Sequence, residues 1–162
     1  MFYKCYIYDT VTTIILQSCT ISVVVGIDAE LNERSVVGDV VQCEDRIVSQ
    51  SRALLSASSQ AQVQSEVDEL NERLRPLGLE TSLVVIRRAN SLALYFICMT
   101  LAALMSLRDQ WDSRRLRRTV ESLFTFLSGA TDTVRVKRLI WPLTDYKRCL
   151  EFFNSVQGKQ TI

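Results

Sequence analysis

Apolar and polar positions change their spacing several times along this chain, and each change predicts an element. Residues 3–27 concentrate Tyr3, Tyr6, Ile7, Tyr8, Ile14, Ile15, Ile21, Val23, Val24 and Val25. β-branched and aromatic residues at that density predict one long strand or two short ones, ending at Gly26 and Asp28. From Asp28 the spacing reads as helical, with Asp28 as N-cap and Leu31, Val36 and Val37 following. Gly38 breaks that run, and Asp39–Leu55 renews it through Val40, Val41, Ile47, Val48, Leu54 and Leu55. The small polar stretch 56–65 is a solvated helical piece or a linker. Val67, Leu70 and Leu74 then resume the three-and-four spacing until Pro76–Leu77–Gly78 stops it.

The second half alternates more cleanly. Thr81–Arg88 and Leu92–Met99 are two strands across the short turn Ala89–Ser91, which makes them an antiparallel hairpin with Leu92, Leu94, Phe96 and Cys98 on one face. At Thr100 the period lengthens to 3.6, predicting a helix with Leu101, Leu104, Leu107 and Trp111 inward. Asp112–Ser113 is expected to cap a further helix whose stripe is Leu116, Val120, Leu123 and Leu127, closed by Gly129. Thr133–Trp141 reads as a strand, and Thr144 or Asp145 caps a last helix ending near Gly158. The series predicts an α+β fold, a four-stranded antiparallel sheet in split β-α-β (ferredoxin-like) order flanked by helices. Residues 1–78 form an N-terminal strand region and long interrupted helix, and 79–158 an α+β core; the length suits one domain overall.

Composition narrows the chemistry. The chain has no histidine, which removes Ser/Cys–His catalysis, His-ligated zinc and a histidine pH switch. Its glycines stand singly at element ends, so no phosphate-cradling loop is present. No nucleophile–base pair, cofactor motif or metal set can be named, and a non-catalytic protein is expected. Cys5, Cys19, Cys43, Cys98 and Cys149 are scattered without a CxxC pair. That pattern fits buried thiols in a reducing, cytoplasmic setting. Nineteen basic residues against eighteen acidic ones argue against a general polyanion binder. Residues 11–27 approach the length of a membrane span but carry Thr12, Thr13, Gln17, Ser18, Thr20 and Ser22, so a membrane anchor there is the minor alternative.

Two local features invite a binding role. Arg114, Arg115, Arg117 and Arg118 form a basic run that Lys137 and Arg138 can join, a patch for phosphate or acidic protein. Its bland reading is a solvated face opposite the Leu116–Val120–Leu123 stripe. Among aromatics, Tyr95 alone has a place on an outer sheet face, which is thin for an RNA platform; it is counted with Tyr6, Tyr8 and Arg87 as a candidate protein-binding residue. Tyr3, Tyr6 and Tyr8 read equally as interface anchors or as packing residues of a first strand.

The ordered series from Leu83 to Phe153 resembles the N-terminal interaction domain of the TNF-receptor-associated death-domain adaptor and related animal signalling domains. It runs through the strand ending Ile86–Arg87, the LALYFIC strand closed by Cys98, and the Leu104–Trp111–Leu116 spacing around a tight helix junction. The Val134–Val136 strand and the D-Y-K-R-C-L segment from Asp145 to Leu150 complete it. The resemblance implies a sheet flanked by helices and a TRAF-domain protein as partner. It places Tyr6 and Tyr8 in the family's aromatic positions and Arg87 in its polar one. No death domain follows Gly158, so a fragment or a stand-alone module is expected. The function expected is an adaptor in death-receptor or innate-immune type signalling, with self-association through residues 28–74. A nucleic-acid-binding module using the basic helix is the alternative, and it predicts binding that weakens steeply with salt.

Overall fold

The computed structural model describes residues 22–56 and 63–160, with side chains to Val156. Strand β1 (Val23–Leu31) is followed by helices α1 (Val40–Ser56) and α2 (Gln64–Leu74), then by strands β2 (Thr81–Arg88) and β3 (Leu92–Cys98). Helices α3 (Leu101–Asp112) and α4 (Arg115–Ser128), strand β4 (Val136–Ile140) and helix α5 (Leu143–Gln160) complete the chain. The sheet is antiparallel throughout, with spatial order β2-β3-β1-β4. This is the split β-α-β fold expected from the pattern. The earlier part of the predicted first strand, with Tyr3, Tyr6 and Tyr8, lies outside the described residues, as does most of the polar stretch 56–65.

Local chemistry explains most boundaries. Gly38 takes φ +91° just before α1, and the Asp39 carboxylate accepts the Val41 N–H at 3.0 Å, capping the helix. Gly78 has the same φ where the chain leaves α2 for β2. The Thr100 hydroxyl accepts the Ala103 N–H at 3.1 Å and starts α3, as its position after a period-two run predicts.

Three expectations need correction. Gly26 and Asp28 do not end β1, and no helix begins at Asp28; the strand continues to Leu31. Val23, Val25, Ile27, Ala29 and Leu31 are all buried, so the period-two pattern runs straight through the glycine. Gly26 pairs with Tyr95, whose ring lies close above it. Second, Asp112–Ser113 does not cap α4: α3 extends through Asp112, and the junction is made by Arg114 in the left-handed conformation, φ 66°, without a side-chain cap. Third, β4 is shorter than Thr133–Trp141, covering Val136–Ile140.

The helices form one layer on one face of the sheet. β1 packs under α5, β2 under α1, and β2 and β3 under α3, while α4 joins α1, α2 and α3. Between the layers lies one continuous core that draws Ile47, Leu54 and Leu70 from the first half together with Phe96, Leu104, Phe124 and Trp141 from the second. The apolar stripes of α1 and α2, expected to support self-association, are therefore turned into this core.

Candidate interaction surface

The sheet has two edges, and the protein treats them differently. Along β4, the outward backbone groups meet side chains from the helical layer. The Glu121 carboxylate accepts the Val136 N–H at 2.8 Å, and Arg117 donates to the Lys137 carbonyl at 3.5 Å. The Trp111 indole donates to the Leu139 carbonyl at 3.1 Å, and Arg108 donates to the Trp141 carbonyl at 2.8 Å. Side chains thus occupy backbone groups that a further strand would need. Arg108 is itself held over three rings, 4.3 Å from the centroid of Trp111 and 5.1 Å from those of Trp141 and Tyr146. Along β2, among the described residues, no side chain donates to or accepts from the outer backbone groups. Its one irregularity is a bulge at Val84, between the pairs Leu83–Phe96 and Val85–Tyr95.

This arrangement accounts for most of the basic run. Arg115 pairs with Asp109 at 3.3 Å, and Arg117 caps the edge of β4. Lys137 and Arg138 both reach Glu30, at 3.7 and 3.0 Å. Only the Arg114 and Arg118 side chains stand without a partner among the described residues, and Arg114 is committed to the helix junction by its backbone. The six cations assigned as one patch are divided between an edge cap, two acidic partners and solvent. The partners Asp109 and Glu30 come from other elements, so the charge run by itself could not reveal them.

The face of the sheet opposite the helices follows from register. Val24, Gly26, Asp28 and Glu30 of β1 share it with Ala93, Tyr95 and Ile97 of β3, Val85 and Arg87 of β2, and Arg138 and Ile140 of β4. Tyr95 does point to this outer face, but it is only 8% exposed and is not a free stacking platform. Val24, Val85 and Ile97 are half-buried around it, while Asp28, Arg138 and Ile140 are exposed. Arg87 is half-buried here, so of the proposed partner-binding residues Arg87 and Tyr95 share one face; Tyr6 and Tyr8 lie outside the described residues.

Among the described residues, no three His, Cys, Asp or Glu side chains are placed to hold a metal ion. An open groove between α1 and the end of α4 is lined by Asp45, Arg46, Gln50, Glu66 and Phe126, mixed charges on an exposed surface. Thr100 donates a hydrogen bond to the Glu80 carboxylate, yet Thr100 is the N-cap of α3, which makes the pair a structural tie. Burial pushes the Cys98 thiol up to about 12, against a smaller lowering by the Thr81 hydroxyl, so it is not an activated nucleophile. Burial also raises Cys43 and Glu44, the latter opposed by Arg88, whose guanidinium lies 3.4 Å away. Among the described residues no helix is long and apolar enough to cross a membrane. No family model, curated protein or solved structure matches this chain.

Proposed function

We propose that the chain is a non-catalytic protein-interaction domain, an adaptor of a signalling complex, and that the outer face of its sheet is the docking surface. The observation that carries this reading is the one-sided layering: the described helices that touch the sheet share one core with its inward-facing residues. The other face offers Val24, Val85, Ile97 and Ile140, with Asp28 and Glu30 on β1, Arg138 on the adjoining β4 and Arg87 on β2 at the far edge. Apolar residues ringed by both signs of charge suit a protein partner better than a polyanion. The resemblance in the second half supplies the candidate partner, a TRAF domain. Arg87, the residue it assigns to binding, sits on this face.

The test is affinity purification with wild type and an Ile140→Glu/Asp28→Arg variant, followed by titration of both with an isolated TRAF domain. Ile140 is 44% exposed and Asp28 is exposed, so the fold tolerates the change, as circular dichroism will confirm. Partners held by wild type and lost by the variant support the outer face. An identical partner set in both refutes it.

A further inference from the structure

The unequal treatment of the two sheet edges points to a second copy of this chain. β2 is eight residues long and its outer backbone groups meet no described side chain, whereas β4 is capped along its length. An edge of that length left open by the described residues is a template for strand addition.

The hydrogen-bond phase of β2 specifies which residues can pair. The Glu80 carbonyl accepts the Met99 N–H at 2.9 Å, so Glu80 and Ser82 turn their backbone groups toward β3, while Thr81 and Leu83 turn theirs outward. The extra residue Val84 shifts the phase, and beyond it Ile86 and Arg88 face outward. Two antiparallel β2 strands must match outward residues with outward residues. One register does so about a twofold axis: Thr81 opposite Arg88, and Leu83 opposite Ile86, with the axis between Val84 and Val85. The bulges then face each other at the axis, and the ladder stays in phase on both sides. The same register sets Ser82 directly opposite Arg87 on the outer face, with Glu80 diagonal to that arginine. The acidic entry of one strand meets the basic exit of the other, twice per pair. We propose that the protein forms a twofold dimer through antiparallel β2–β2 pairing in this register, joining two sheets into one of eight strands.

This surface is an edge and not the outer face, so the proposal stands or falls independently of the adaptor reading. The experiment is sedimentation velocity of the whole chain from low to high micromolar concentration, on wild type, Ser82→Lys and Ser82→Glu. Ser82 is exposed, so neither variant disturbs the core. A dimer is expected in wild type. Ser82→Lys faces Arg87 at two symmetric contacts and raises the dissociation constant by about two- to thirtyfold, and Ser82→Glu lowers it by a similar factor. A wild-type monomer at every concentration overturns the proposal. So does a dimer whose affinity neither variant changes, since that dimer uses another surface. The Ile140→Glu/Asp28→Arg variant, which leaves the β2 edge intact, is expected to dimerise like wild type.

Discussion

Replacing Gly26 by alanine tests why a glycine stands in the middle of a central strand. A Cβ at this position lies 2.9 Å from Cε1 and 3.3 Å from Cδ1 of Tyr95. Both distances are inside the roughly 3.5–4.0 Å of a comfortable carbon–carbon contact. The ring is 8% exposed, so it has little room to swing away. Gly26 does not take a positive φ, and the backbone itself accepts alanine without strain. Two effects therefore oppose each other. Loss of unfolded-state freedom favours alanine by about 0.5–1 kcal/mol. Overpacking against a held ring costs about 1–3 kcal/mol. The overpacking wins, and Gly26→Ala is expected to destabilise by about 1–2 kcal/mol, lowering Tm by roughly 2–8 °C for a domain of this size. Urea unfolding followed by circular dichroism measures it, in wild type and in a Tyr95→Val background. With the ring removed, the added methyl has space, and the same substitution becomes neutral or stabilising by up to about 1 kcal/mol. A coupling of about 1–3 kcal/mol between the two sites follows. An equal cost in both backgrounds would refute the reasoning, because the clash with Tyr95 would then not be what the glycine avoids.

Two further predictions concern the helical layer. Arg108→Ala removes a cation from three ring faces and a charged hydrogen bond to the Trp141 carbonyl, and is expected to cost about 2–4 kcal/mol in urea unfolding. Arg108→Lys recovers only part of this because an ammonium lacks the planar stack, and a cost below about 0.5 kcal/mol for alanine contradicts the assignment. Cys98 keeps its proton in the folded state up to about pH 12, whereas an unfolded thiol ionises near its ordinary value of 9.0. Its contribution to stability is therefore intact below pH 9 and declines as pH rises from there toward 12, with Cys43 and Tyr146 shifted in the same direction by burial. The urea midpoint should fall over that range less steeply in Cys98→Ala than in wild type; identical slopes would contradict the burial of this thiol.

The hairpin was legible because its two strands alternate cleanly across a three-residue turn, and the helices of the second half because their stripes sit at unbroken helical spacing. The continuation of β1 is hidden at Gly26 and Asp28, two residues that usually end a strand. What overrides that tendency is a cross-strand neighbour, Tyr95, that comes from a distant part of the chain. The left-handed Arg114 was hidden for the opposite reason: Asp112 and Ser113 look like a cap, and an arginine at φ 66° carries no mark in the sequence. The basic run was visible, but its meaning was not. Arg117 reads as a surface charge until β4 is placed beside it. Glu121 and Trp111, which complete the same edge, carry no signal at all, since each serves a backbone group 15 and 28 residues farther along the chain.

The capping of β4 also limits how far sheets of this protein can grow. A sheet with two open sides adds strands from either one, and each addition exposes a new side, so growth runs on into fibres. Here Glu121, Arg117, Trp111 and Arg108 close one side, and any strand added to the other meets a partner whose far side is closed as well. Association through the edges of the four described strands consequently terminates at a pair. To release that limit, more than one cap must go, because each of the four side chains engages a different backbone group of the strand or its flank.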